Sequence, residues 1–229
     1  MLLYHRFEAQ GASTPWTVQT DRFEAQLRWL LANGYTISAL RAGLADPSRT
    51  ARAPTPRVAI TVDDGDLSVY TEMFPLILRY QIPVTLFIYP YAISLSESAL
   101  TWDHLKEMVD SGLVDVQFHS LTHPDFHYER GRRNPGDYRA FISFELNHCR
   151  DKIEQQLGTC VDLLAWPFGI YDDELLAEAE RSGYSAAFAV KLKSARDCSR
   201  FSLPRINISN RDEGKSLRAQ IGPVMAPAP

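Results

Sequence analysis

Short apolar runs alternate along the chain with longer segments of helical period. Residues 2–5, 35–40, 58–62, 84–89, 114–118, 163–166, 184–190 and 201–208 read as strands. They contain few alternating polar positions, as in parallel strands covered on both faces. Helices lie between them. Asp21-x-x-Glu24 resembles a capping box, Phe23, Leu27, Leu30 and Leu31 form the apolar stripe behind it, and Gly34 suits the stop. Leu105, Met108 and Val109 stripe a second helix ending at Gly112. Phe141, Leu146, Cys149, Ile153 and Leu157 line a third, expected to run unbroken to Gly158; a fourth spans Asp172 to Gly183. The stretches 41–57 and 124–137, rich in Pro, Arg and Gly, read as loops.

Alternation on this scale predicts one α/β domain on a parallel sheet, either closed as a barrel or doubly wound. Its expected extent is residues 1–222, with 223–229 a disordered tail. In both architectures the chemistry gathers at the carboxyl ends of strands. Two polar clusters fall there. The run RVAITVDDGD places Asp63, Asp64 and Asp66 directly after a buried strand, and VQFHSLTH places His119 and His123 after another.

Composition narrows the classes. In 229 residues, 45% are hydrophobic and 23% charged, as in ordinary globular proteins. The net charge of −4 and the lack of a basic run give no case for nucleic acid or an anionic membrane. No apolar stretch approaches the roughly 20 residues of a membrane span. MLLYHRFEAQ lacks the basic and apolar regions of a signal peptide. Cys149, Cys160 and Cys198 have no CxxC spacing and read as isolated thiols. No Gly-rich loop with GK[ST] accompanies Asp64-Gly65-Asp66, so phosphoryl transfer has only a weak motif behind it.

Each cluster alone has a bland explanation: Asp-Gly suits a turn, and a histidine pair four apart is common without metal. Together at the ends of two strands of one sheet they explain each other, because a divalent cation offsets repulsion between the carboxylates. Two imidazoles and one carboxylate of the Asp63–Asp64 pair make a His₂Asp set, open for water and substrate in the manner of a catalytic metal site. Pro124 disfavours helical geometry at His123, so the turn bringing the histidines together is expected in a loop.

TVDDG, HSLTH and AWPFGIYDDE resemble the metal-dependent polysaccharide deacetylases, the NodB-homology or carbohydrate esterase 4 family. LLYHRF, FEAQLRWLLANGYT, YQIPVTLFIY, WDHLKEMVDSGLV and FSLPRINI extend the likeness, in order, to the poly-β-1,6-N-acetylglucosamine deacetylase branch. The resemblance implies a distorted (β/α) barrel that hydrolyses the N-acetyl group of an amino sugar within a glycan or oligosaccharide. It implies Asp64, His119 and His123 as ligands of one divalent ion and Asp63 as the general base. Zinc suits that set, and cobalt or nickel would also fit nitrogen and oxygen donors. The late histidine that serves many relatives as acid is missing from SLPRINI. The named branch instead uses a Tyr-His motif near the N-terminus, which makes His5 the candidate acid. Family members work outside the cell or in the periplasm; the missing signal leaves a cytoplasmic place as the alternative.

Trp166, Pro167 and Phe168 are candidates for a sugar-binding wall. Arg205, grouped with them, could orient Asp63 by a charge-assisted hydrogen bond. Two departures stand out: Val62 precedes the acid pair and Asp66 follows Gly65 where relatives commonly carry aromatics. Asp66 therefore bears on substrate choice, and a non-polymeric or lipid-linked amide is the alternative substrate. A catalytically silent glycan-binding module is opposed by the intact ligands. His104 and His148 have no such partners, His127 could reach substrate from its loop, and Arg130, Arg132 and Arg133 read as a solvated turn.

Overall fold

A computed structural model describes residues 1–11, 14–45, 55–148, 150–190 and 199–225. Its strands are β1 (Leu2–Tyr4), β2 (Arg6–Glu8), β3 (Thr17–Gln19), β4 (Thr36–Ile37), β5 (Arg57–Val58), β6 (Ile60–Asp64), β7 (Val84–Ile88), β8 (Val114–Phe118), β9 (Leu163–Ala165), β10 (Ala186–Ala189), β11 (Leu203–Pro204) and β12 (Ile206–Asn207). Eight of these form one sheet, every pairing parallel, in the order β11-β10-β9-β8-β7-β6-β1-β12. The two edge strands are consecutive in the chain, separated only by Arg205. The sheet therefore nearly closes into a barrel, with Arg205 at the seam. The expected distorted barrel is the fold observed.

Alternate residues of each strand face opposite ways. One set, including Val62, Leu86, Ile88, Val116 and Phe118, packs beneath the helices. The other, with Ala59, Phe87, Leu163, Ala165, Ala186 and Phe188, fills the lumen. The helices are α1 (Thr20–Ala32), α2 (Leu40–Ala45), α3 (Phe74–Tyr80), α4 (Trp102–Asp110), α5 (Phe126–Arg132), α6 (Pro135–Asn147), α7 (Arg150–Leu157), α8 (Asp173–Arg181) and α9 (Lys215–Met225). Among the described residues no helix is long and apolar enough to cross a membrane.

Several boundaries differ from the sequence reading. The capping box at Asp21 is not formed: α1 starts at Thr20 with Gln19 at its N-cap, and Glu24 turns to Arg28 and Tyr80 instead. The helix expected through residues 141–157 is two helices. At Asn147 the side chain competes for the Ser143 carbonyl, and His148 turns to extended geometry. The expected loop 124–137 carries α5, capped by Asp125, and the start of α6, capped by Asn134. The run 35–40 keeps only β4, paired with β5 outside the barrel, before α2 begins. Residues 69–80 are helical, opening with one turn of π-helix. The tail expected from 223 begins inside α9, and 226–229 lie outside the described residues. Cys160 is a free, exposed thiol, while Cys149 and Cys198 fall outside the described residues.

Candidate active site

β6 delivers both acids, and its backbone separates them. Asp63 stays in register, opposite Phe87, and is buried in the lumen. Arg205 reaches it from the seam. Nη1 and Nη2 donate to Oδ1 and Oδ2 at 2.6 Å each, a two-pronged contact between fully enclosed groups. The same guanidinium lies over the Phe87 ring, 5.2 Å from its centroid. Burial pushes the Asp63 carboxyl up, but Arg205 and His119 outweigh it and hold the group below its ordinary value. Asp64 takes a left-handed φ of 79° and Gly65 follows at 88°. The chain thus leaves the strand sharply. A Cβ at Gly65 would sit 3.1 Å from the Ile93 side chain, so the position is crowded as well as left-handed.

His119 follows β8, its amide bonded to the Ile88 carbonyl at 2.8 Å. Its Nδ1 lies 2.8 Å from the carbonyl of Ala165, the last residue of β9. A carbonyl only accepts, so Nδ1 carries the proton and the Nε2 lone pair is free. Burial pushes the imidazole pKa down to about 3 and lowers that of His123 as well, keeping both rings neutral and able to ligate. His123 sits in a loop turn with φ 58°, its amide bonded to Ser120 Oγ at 3.1 Å.

Asp64 Oδ1 is 3.6 Å from His119 Nε2 and 3.5 Å from His123 Nε2. The donor atoms of the three residues all lie within 4.8 Å of one another. These separations exceed hydrogen bonds, whereas two ligands about 2.1 Å from a tetrahedral ion are about 3.4 Å apart. The donor set and its spacing fit a divalent cation held by Asp64, His119 and His123. Burial and the neighbouring Asp63 carboxylate push Asp64 above its ordinary value, a cost that a cation removes.

Glu145 of α6 was not singled out from the sequence. It is buried, and Oε2 accepts the amides of Leu121 and Thr122 at 3.1 and 3.0 Å while Oε1 accepts the Thr122 hydroxyl at 2.7 Å. One carboxylate thereby fixes the loop joining the two histidines. The available signal was a charge one helical turn from Phe141, on the face of that stripe. The site also gathers left-handed residues other than glycine: Asp64, Ser120, His123 and Phe168. Each stores strain of order 1 kcal/mol, sustained by bonds such as these.

The remaining candidates divide. β1 pairs Tyr4 with Val62, so the next residue, His5, comes level with Asp63. His5 lines a cleft of about 450 Å³ together with Asp63, Asp64, His119 and His123. Its Nδ1 is buried without a hydrogen-bond partner among the described residues, and its ring lies 5.0 Å from that of Trp16. Burial lowers its pKa despite the opposing pull of Asp63 and Asp64. Trp166 and Phe168 of the expected wall both border the cleft, but only Phe168 is exposed. It is 61% exposed, with its ring edge-on to His123 at 4.6 Å. Trp166 is fully buried, donating from Nε1 to the Phe201 carbonyl and packing on Phe126, and Pro167 is buried beside it. Trp166 is thus anchored in the core beneath the helices and also borders the cleft. Arg205 likewise offers no surface to a ligand and acts on Asp63.

His104 completes the cap of α4 and stacks on Tyr70. His148 stacks on Phe144, and Arg130 and Arg133 are tied to Asp172 and over Phe141.

Comparison with known proteins places this geometry. Residues 50–187 match the family described as polysaccharide deacetylase. The poly-beta-1,6-N-acetyl-D-glucosamine N-deacetylase of Staphylococcus epidermidis is 24% identical over 202 residues, covering 85% of this chain and 69% of that protein. Solved structures share the fold, among them these two. The Streptococcus pyogenes deacetylase PplD in complex with acetate superposes with a TM-score of 0.81 at 22% identity, covering 99% of this chain and 97% of that one. IcaB from Ammonifex degensii gives 0.80 at 24% identity, covering 96% and 94%. With the family profile matching more than half of its length, this chain belongs to the polysaccharide deacetylase family.

Proposed function

We propose that the protein is a metal-dependent hydrolase that removes N-acetyl groups from N-acetylglucosamine units of a polysaccharide or oligosaccharide. The observation that carries this is the open Asp64–His119–His123 donor set beside the Arg205-bound Asp63, in the cleft of a family member. The described relative from Staphylococcus epidermidis supports a poly-N-acetylglucosamine substrate.

Asp64, His119 and His123 would hold the ion, zinc or another transition metal with a taste for nitrogen and oxygen. When bound, it acts as a Lewis acid for the amide carbonyl and lowers the pKa of water. Asp63 accepts the proton of the attacking water. Its low basicity is adequate to a water already made acidic, and Arg205 keeps it ionised and aimed. His5 supplies a proton to the departing amine nitrogen from the neighbouring strand end, since an amine leaves far more readily than an amide anion. Phe168 offers an exposed ring to a sugar face.

The test is acetate release from β-1,6-linked and chito-oligosaccharides and from monomeric N-acetylglucosamine, with chelator-treated protein before and after metal is restored. Activity on oligomers, lost with chelation and regained with zinc, cobalt or nickel, is expected. Hydrolysis confined to amides other than glycans, or indifferent to chelation, contradicts the proposal.

A further inference from the structure

Asp66 is the acid of the cluster that the proposed chemistry leaves unused, and it is not solvated. Its side chain is 15% exposed, with Oδ2 3.2 Å from Arg6 Nε. Oδ1 accepts the amide of Ser68 at 3.0 Å and its hydroxyl at 2.6 Å. The Ser68 oxygen in turn accepts the amide of Phe7 at 3.0 Å. One carboxylate, two residues past the metal-ligand candidate Asp64, thus grips Arg6 and Phe7, the two residues that follow His5. Asp66 is not part of the ligand set, whose members are Asp64, His119 and His123.

The grip adds to the pairing of Arg6 and Phe7 with Thr17 and Val18 and to the burial of Phe7, and it acts beside His5, which lies between β1 and β2. The β1 ladder with β6 ends at Tyr4, and the His5 Nδ1 has no partner among the described residues. Beyond it, the Arg6 amide bonds to the Trp16 carbonyl at 3.3 Å, which keeps the Trp16 ring against the imidazole. Holding Arg6 and Phe7 therefore holds both the backbone exit from His5 and the ring packed on it.

We infer that Asp66 is a positioning residue for proton donation, tying the chain beyond His5 to the turn that leaves the base-bearing strand. This rests on the reading of His5 as donor. In that step the C–N bond of the tetrahedral adduct breaks, the nitrogen takes a proton from His5, and the ring regains one from solvent.

The test compares an N-acetyl oligosaccharide, whose amine must be protonated to leave, with p-nitrophenyl acetate, whose phenolate leaves without a proton. Asp66→Ala is expected to lower kcat on the amide about tenfold, a small geometric displacement being enough for that. KM and metal content should stay near those of the parent, so the amide-to-ester ratio falls. His5→Ala should lower the ratio by about 10²-fold or more. Adding Asp66→Ala to His5→Ala should lower it no further, because two residues acting through one step are not additive. Asp66→Asn keeps an acceptor for Ser68 and should fall between; it also serves if the alanine variant folds poorly. Equal losses on amide and ester, or additive effects in the double variant, overturn the inference while leaving His5 as donor. If His5→Ala leaves the ratio unaltered, the donor reading falls, and this inference with it.

Discussion

At the amino ends of its strands the barrel is filled by Ala59, Leu163 and Ala186, with Leu40 and Leu203 closing beneath; at the carboxyl ends β6 presents Asp63 and Asp64 and β8 leads into His119. The lower end is a packed apolar core in which ordinary side chains gain from burial. The upper end buries a carboxylate and a guanidinium, holds an imidazole neutral, and keeps four non-glycine residues left-handed. That arrangement persists because groups outside the chemistry, Arg205 and Glu145, satisfy it. One end is held by apolar burial and the other by pairing of its buried polar and charged groups.

The contrast can be broken most severely at Arg205. Arg205→Ala leaves Asp63 buried without its counter-charge, and a loss of about 3–5 kcal/mol is expected in denaturant unfolding, together with loss of turnover. Arg205→Lys should recover only part of either, since an ammonium cannot present the two-pronged fork. A variant with unchanged stability would mean that Asp63 is not held as an ion.

At the opposite end, Leu163→Ala should lower stability by a similar amount, about 2–5 kcal/mol, by leaving a cavity. Its kcat per folded molecule, measured well below the melting transition, should match the parent. A specific loss of kcat would show that the two ends are coupled.

Glu145→Gln sharpens the picture at smaller scale. The amide keeps its size but loses charge and one acceptor toward the loop, and metal affinity should weaken about 10–100-fold in a competition titration with a chromogenic chelator. The smallest effect is expected at Phe168→Ala. Stability should change within about 0.5 kcal/mol for so exposed a ring, while KM for an oligosaccharide rises a few-fold.

What the sequence disclosed follows the same division. Parallel strands were legible because apolar runs covered on both faces leave an unmistakable pattern, and the two acid and histidine clusters were legible because they interrupt it at strand ends. Partners distant in sequence were harder. Arg205 was suggested as the orienting group, but its place at the barrel seam depends on β11 and β12 lying at opposite sheet edges, which no local pattern encodes. Glu145 was missed because its task is visible only once α6 packs on the histidine loop. Trp166 shows a different ambiguity. An aromatic after a strand is compatible with wall or core, and Trp166 takes part in both, buried among core residues yet bordering the cleft. Asp66 stood out only as a departure from the aromatic of relatives, and its contacts with Ser68 and Arg6 depend on β2 lying beside the turn after β6.

The central claim is that adjacent acids of β6 have separate tasks, Asp64 holding a metal and Asp63 acting beside it. Metal content of purified, metal-equilibrated Asp63→Asn and Asp64→Asn proteins, determined by elemental mass spectrometry alongside acetate release, tests this most directly. The account predicts that both variants lose turnover, that Asp64→Asn loses the ion, and that Asp63→Asn retains about one per chain. Retention of the ion by Asp64→Asn, or full activity in Asp63→Asn, would contradict it.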